Sequence, residues 1–450
     1  MIVIGGGFSG LAVAYSLKDS LHYDVQILEG RDRLGGRVHP HDLGGTMVDL
    51  GGQWVHDATD CNPMKRLMKE LSLPFAEKPH YKTRKREMFH KVFGSNGKPI
   101  DSVNFKLAES FYNKTLDGGC NTHVIDVDTS VKDLLDRALQ SSNRVVTDKF
   151  MQMMNYLGHR SECYEGGRLH ELSASLYLNG PYEDLGGSDE VPKGTYHEVI
   201  KAVVANIGEE KFRLGRIVKA INYELSPLDG QVSVDLEDGE RIKGDYCVCT
   251  IPLGVLQKRK VDFSPELSEA RWRSIDAIGM GLLDKVALKF ECAFWDHDFF
   301  SSTDADPTRV KTFYDCSDDV GAPVLFMFHG GDAALRVDSP NGLSDDEAVE
   351  ETMASLRNIF GNEVPDPVAT KVTRWNMDPF AFGAYSFAKI GSTVEDYDEV
   401  ASPLGNLLFA GEHTSIVAHS CVHGAWATGQ REARRLEELA RTLKRPRSLN

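Results

Sequence analysis

The run Gly5-Gly6-Gly7-Phe8-Ser9-Gly10 has the spacing Gly-x-Gly-x-x-Gly, which suits a backbone that must approach a pyrophosphate. Gly5 permits a tight turn, Gly7 lets N–H groups close on phosphate oxygens, and Gly10 leaves out a side chain that would hold a helix off a sheet. Glu29 follows at the position where a carboxylate would accept from a ribose hydroxyl. His56 is a general base near neutral pH or an ordinary surface histidine. Lys285 sits in an apolar stretch. Glu183, Asp184, Asp189 and Glu190, beside Gly186-Gly187, either face a polycation or form a solvated loop, and their composition favours the loop.

A glycine loop of this kind works only between a strand that delivers it and a helix that starts on it. Met1 to Ile4 reads as that strand and the residues from the loop onward as that helix, whose unpaired N–H groups and positive dipole end would face phosphates. His22 to Leu28 reads as a second strand, closed by Glu29. Between about 62 and 195 the pattern is amphipathic helix. Asn62-Pro63 opens one helix, with Met64, Leu67, Met68 and Leu71 at helical spacing, and 131–139 and 149–157 read likewise.

A helix to about Ile207, a strand over 213–221, a hairpin through 232–236 and Asp238-Gly239, and a buried strand over 246–250 come next. The strand over 279–290 carries Lys285. Alternation puts Lys285 and Lys289 on one face, opposite Val286, Leu288 and Phe290, and therefore toward solvent. Strands near 312–314, 324–329 and 372–375, another over the 375–390 stretch, and a helix from Ser344 to about Phe360 lead to a last strand at 406–409 and a helix to about Thr442.

The segment Glu29-Gly30-Arg31-Asp32-Arg33-Leu34-Gly35-Gly36-Arg37-Val38 resembles the second fingerprint of the FAD-binding amine oxidase family, a loop for which an NAD enzyme has no use. Gly51-Gly52-Gln53-Trp54-Val55-His56 is similar to the segment that polyamine oxidases lay along the flavin ring, with Asp57 where glycine is usual. Ile251-Pro252-Leu253-Gly254-Val255-Leu256 resembles a string of the polyamine oxidases and the related lysine-specific histone demethylases. Phe409-Ala410-Gly411-Glu412-His413-Thr414 and Val422-His423-Gly424-Ala425 resemble family signatures, so the likeness covers both ends and the middle of the chain.

The resemblance implies an α/β chain: a Rossmann-like FAD-binding domain of the glutathione-reductase type from 1–70, 190–290 and 400–450, and a mixed sheet-plus-helices substrate domain from 71–189 and 291–399. It assigns the cofactor to Gly5, Gly7, Ser9, Gly10, Glu29, Arg31, Gly36, Arg37, Gly52, Gln53, Trp54, Ile217, Trp375, Gly411, Glu412 and Val422. The main chain at Ile217 would meet the adenine, and a helix starting at Val422 would favour negative charge on a reduced flavin. FAD would be non-covalent, because Ala384 stands where monoamine oxidases supply a cysteine. Against alternation, Lys285 would point at the flavin N5 and hold a water there. His56 would favour the neutral form of the substrate amine, Tyr385 or Phe387 would form an aromatic wall, and Cys421 would leave that wall open where other members have tyrosine.

The reaction implied is oxidation of a polyamine, spermine, spermidine or an acetylated form, by hydride transfer to flavin N5, with O2 as oxidant and H2O2 released. A histone-lysine demethylase is the nearest alternative, normally with an N-terminal helical domain and a long helical insertion that 450 residues would not accommodate. An L-amino-acid oxidase would want an arginine for a carboxylate, with Arg168 and Arg374 as candidates. A non-catalytic flavin-binding module is the remaining reading.

Bulk properties agree with a folded enzyme. With 450 residues, 41% of them hydrophobic, the chain can bury a sizeable core in two or three domains. No apolar run approaches the ~18 residues of a membrane span, and the N-terminus enters a strand at once, so a membrane partner and a leader are not expected. The net charge of −16 disfavours a nucleic-acid partner. Eight scattered cysteines show no metal-ligand spacing, which points to reduced thiols, no metal and an intracellular setting, with the cytoplasm expected first and the peroxisome or nucleus left open. Basic clusters at 82–86 and 444–447 read as solvated segments, and the assembly expected is a monomer or weak dimer.

Overall fold

The computed structural model describes residues 1–76, 91–100, 102–120, 125–143, 145–225 and 231–443; both basic clusters lie outside these. Short apolar runs form a wholly parallel five-stranded sheet in the order Leu407–Phe409, Cys247–Cys249, Ile2–Ile4, Gln26–Leu28 and Phe212–Arg213. Val3 is paired with Val248 on one side and Ile27 on the other, and Val3, Val248 and Ile27 are fully buried, as strands covered on both faces must be. The helices Phe8–Leu17, Thr195–Ile207 and Val422–Leu443 cover one face through Leu11, Val199, Val203, Trp426 and Leu436. Against the other face pack Ile221, Val234 and Phe263, from a four-stranded sheet of Asp262–Ser264, Val218–Asn222, Val232–Leu236 and Arg241–Gly244. This is the Rossmann-like α/β architecture expected.

A second, six-stranded sheet runs in the order Ala369–Val372, Leu283–Lys289, Val324–Gly330, Lys311–Asp315, Phe299–Ser302 and Val92–Phe93, antiparallel except for the last pair. Leu283–Lys289 belongs to this sheet by hydrogen bonding, although the expected boundary at 290 placed it in the nucleotide-binding part. Beside it the helices Ser102–Cys120, Val131–Ser141, Asp148–Glu165 and Ala174–Asn179 share a core containing Tyr112, Leu135, Met153, Tyr156 and Ala174. Three of their starts are capped by side chains: Ser130 accepts from Asp133 N at 3.0 Å, Thr147 from Phe150 N at 3.2 Å and Ser173 from Leu176 N at 3.3 Å.

Two strand expectations are corrected. The strand expected over 213–221 is two pieces, Phe212–Arg213 and Val218–Asn222. The chain turns between them because Gly215 N and Arg216 N donate to the carbonyls of Arg31 and Glu29. Within 373–390 only Ser386–Phe387 is strand, paired with Gly279–Met280, and the Ala369–Val372 strand ends before Trp375, which enters a turn. Among the described residues no helix is long and apolar enough to cross a membrane, and no group of three or more His, Cys, Asp or Glu is placed to hold a metal ion.

Candidate active site

Gly5 takes φ +105°, and a Cβ there would lie 2.4 Å from Thr250 Oγ1. A Cβ on Gly10 would lie 1.9 Å from the Gly5 carbonyl, so the helix meets the strand only because residue 10 has no side chain. The helix then begins at Gly7 with no side-chain cap, leaving first-turn N–H groups for a ligand. Gly5 and Gly7 open onto a cavity of about 520 Å³ also lined by Ser9, Glu29, Arg31, Gly36, Arg37, Gly52, Ile217, Gly411, Glu412 and Val422, whereas Gly10 lies in the helix–strand packing behind it. A Cβ on Gly7 would have only Gly36 Cα near it, at 4.0 Å, so this is a cradle that a side chain would start to fill. Volume, open helix terminus and glycine cradle together fit a dinucleotide.

The polar groups of the cavity are held by one another. Glu29 accepts from Gly6 N (2.7 Å) and Arg31 N (2.8 Å), which fixes its carboxylate at the strand end. Arg31 makes a two-pronged pair with Asp378 (2.9 and 2.8 Å). Arg37 Nη1 donates to Ala384 O (3.1 Å) and Glu412 Oε1 (2.8 Å). Glu412, which also accepts from Ser386 Oγ (2.6 Å) and Ser420 N (2.7 Å), would be pushed up by burial, but Arg37, His413 and these donors outweigh that and bring its pKa down to about 2. Ser9 Oγ donates to Ala425 O (2.6 Å), so its hydroxyl ties the first helix to the last. Ile217 lines the cavity, with its carbonyl taken by Glu237 N at 2.9 Å.

A second cavity of about 360 Å³ abuts the first, the two sharing Arg37, Gly52, Ala384, Tyr385, Ser420, Cys421 and Val422. Lys285 lines it and is buried, against the solvent-facing position that alternation gives. Asp284 to Leu288 are all buried because the segment 49–53 covers the face that alternation assigns to water. Lys285 Nζ donates to Asp49 O (2.9 Å), Gly51 O (2.8 Å) and Gln53 Oε1 (2.5 Å), and stands 4.7 Å from the Phe326 ring centroid. Burial lowers its pKa to about 7, against the pull of Asp49. Lys289 is half-buried, with Nζ donating to Gly44 O.

His56 is in the wall of the second cavity, its Nδ1 3.3 Å from Asp189 Oδ2, an ion-pair distance without aligned hydrogen-bond geometry. Asp57 takes φ +48°, the left-handed region that a glycine would adopt freely, so the backbone keeps that conformation with a side chain present. Asp57 N donates to Asp189 Oδ1 at 3.0 Å, which supports the turn. Tyr385 lines both cavities and its hydroxyl donates to Cys163 O (2.7 Å), while Trp54, Gln53, Trp375 and Cys421 line the second. Burial pushes the Cys421 thiol up to about 12, so the thiol stays protonated.

Some expected residues are elsewhere. Phe387 lines neither cavity: it pairs with Gly279 and packs in the helical core, which removes it from the aromatic wall and leaves Tyr385 there. Arg168 is engaged by Glu171 (2.6 Å) and Asp332, and Arg374 by Asp345 and the carbonyls of Val337 and Leu343, so neither reaches the cavity. Conversely Glu165, Arg160, Tyr164, Tyr177 and Tyr182 line the second cavity without a signal in the sequence, and Asp189 does so from the loop read as solvated. Glu165 ends a helix and lines the second cavity, and burial raises its pKa to about 7.

Residues 8–436 match the family model described as flavin containing amine oxidoreductase. The chain belongs to this family. The first cavity, with its glycine cradle and open helix terminus, fits the flavin that the family's description names. The chain is 33% identical to "Lysine-specific histone demethylase 1 homolog 3" of Oryza sativa subsp. japonica, over 96% of this chain and 53% of that protein. It is 32% identical to "Protein FLOWERING LOCUS D" of Arabidopsis thaliana, over 98% and 56%. It thus spans about half the length of the curated relatives it matches. Among solved structures, a putrescine oxidase redesigned in its cofactor binding superposes with a TM-score of 0.75 at 19% identity, over 97% of this chain and 98% of that one. The fold is that of an amine oxidase.

Proposed function

We propose that this chain oxidises an aliphatic polyamine with non-covalently bound FAD. The observation that carries the reading is the second cavity: about 360 Å³, walled by tyrosines, with the acidic residues Glu165 and Asp189 in its lining and Lys285 also in its wall. An aliphatic chain packs on tyrosine rings, and a cationic amine offsets the cost of charging a buried carboxyl. FAD, when bound, supplies the hydride acceptor and passes both electrons to O2, giving H2O2.

The chain's own residues do the rest. Asp189 beside His56 Nδ1 favours a proton on that nitrogen and leaves Nε2 to accept one, so that the substrate nitrogen is held neutral. Lys285 Nζ, whose three N–H groups go to Asp49 O, Gly51 O and Gln53 Oε1, lines the cavity and would orient a water by exchanging one of these acceptors for it. Arg37 and the helix starting at Val422 favour negative charge at the junction of the cavities.

A histone-lysine demethylase is the second reading, favoured by the names of the plant relatives. A panel of spermine, spermidine, their acetylated forms, L-amino acids and a dimethyl-lysine peptide, read by peroxide release, separates the two. Polyamine turnover with an inert peptide is the expected result. Peptide turnover with inert polyamines would replace it with the second reading.

A further inference from the structure

On the face of the Leu283–Lys289 strand opposite Lys285, two aspartates meet away from bulk solvent. Asp284 and Asp338 are both fully buried. Asp284 Oδ1 accepts from Thr373 Oγ1 (2.7 Å) and Trp375 N (3.2 Å), while its Oδ2 has no donor among the described residues. Asp338 accepts from Asn376 N (2.5 Å) and Met377 N (3.2 Å). The two carboxyl groups therefore grip successive N–H groups of one turn, 375–377, and interact with one another. Thr373 Oγ1 in turn accepts from the main-chain N–H of Lys285 at 2.8 Å.

We propose that Asp284 is a neutral carboxylic acid that donates from Oδ2 to Asp338, and that this acid pair is a positioning device which holds Lys285 and Trp375 at the substrate cavity. Two buried carboxylates in contact cannot both be charged, so one carries a proton, and the orphaned oxygen of Asp284 becomes a donor once it does. The proton falls to Asp284 because Arg374 lies near Asp338 and favours its charged form. His329, the cross-strand partner of Asp284, is kept neutral by burial, which lowers its pKa to about 3. Lys311 and His159 lie beyond His329, and Lys285 points the other way, toward Asp49. Both carboxyls are displaced upward, first by burial and then, for Asp284, by Asp338.

The positioning role rests on the proposed part of Lys285 in catalysis; the protonation state does not, and the test keeps them apart. At about pH 8, far above the ordinary carboxylate range near 4, the holoenzyme should show a carboxylic-acid C=O component in its infrared spectrum that Asp284→Asn removes. An asparagine keeps a donor toward Asp338, so Asp284→Asn should keep kcat within about threefold, whereas Asp284→Leu should lower kcat by about two orders of magnitude, the scale of misplacing a catalytic group by ~1 Å. The stability of wild type relative to Asp284→Asn should be greatest below about pH 4 and decline as pH rises toward the raised pKa. Absence of the acid component, or Asp284→Asn as damaging as Asp284→Leu, would overturn the proposal. If Asp284→Leu does not fold, the infrared component and the pH dependence of Asp284→Asn decide alone.

Discussion

At the scale of single residues, Lys285 is the sharpest test of the site. Its Nζ is buried among three oxygen acceptors, so Lys285→Met keeps the apolar stem and removes only the polar head. Amine-driven flavin reduction or reoxidation by O2 should slow by about two orders of magnitude, a typical loss for one positioned catalytic group, with FAD content unchanged. Lys289→Met, on the same strand face but reaching Gly44 O, should leave both half-reactions near wild type. Stopped-flow measurement of each half-reaction checks this, and two mutants behaving alike would remove Lys285 from catalysis. For His56, activity should rise with pH through the alkaline range as the substrate amine loses its proton, and His56→Ala should lower kcat/KM by at least about tenfold and alter that limb. An unchanged profile would make His56 a structural neighbour of Asp189 and nothing more. These two residues were legible in the sequence through motifs. Asp189 and Glu165 were not, because a carboxylate in a loop or at a helix end looks the same whether it meets water or a cavity.

At the scale of elements, the joint between Glu29–Val38, the strand Ser386–Phe387 and the segment after Phe409 depends on Glu412. Its carboxylate gathers Arg37, Ser386 and Ser420, and so ties three segments that are remote in sequence. Its pKa of about 2 lies below the unfolded value, so its contribution is present above about pH 4.3 and is lost as pH falls toward 2. The ceiling is roughly 3 kcal/mol, since each tenfold change in proton affinity is worth about 1.4 kcal/mol. Glu412→Gln should lower the melting temperature at neutral pH and flatten its decline in acid. A melting curve whose acid limb is unchanged by the substitution would show that other carboxylates set it. Element types were readable from period and capping residues, as at Asn62-Pro63 and Ser344, where Asn62 and Ser344 are N-caps in the structure. The break at 214–217 was not, because its cause is Glu29 and Arg31 drawing Gly215 and Arg216 away from the strand.

At the scale of the whole molecule, the parallel sheet and the six-stranded sheet present two cavities that meet beside Ala384 and Cys421. Ala384 offers no nucleophile, and burial keeps the Cys421 thiol protonated. Acid precipitation should therefore release all the flavin into the supernatant. Yellow colour retained in the pellet would point to attachment at Cys421. The length of the chain does not separate the polyamine reading from the demethylase one, because the relatives with demethylase names match it along about half of their own length. The substrate panel does.

The sequence by itself determined what is local: the glycine spacing, the strand–helix corner, the second fingerprint, the string around Pro252 and the family to which they point. Tertiary structure alone decided which face of the Leu283–Lys289 strand meets the site. Alternation predicts a wet face only if one side is solvated, and here the segment 49–53 covers one side while Asp338 and the 373–377 turn cover the other. The same reason moved Phe387 into the helical core and brought Asp189 out of a solvated loop into the cavity. Burial depends on what packs against a residue, and for these positions the packing partners come from distant parts of the chain.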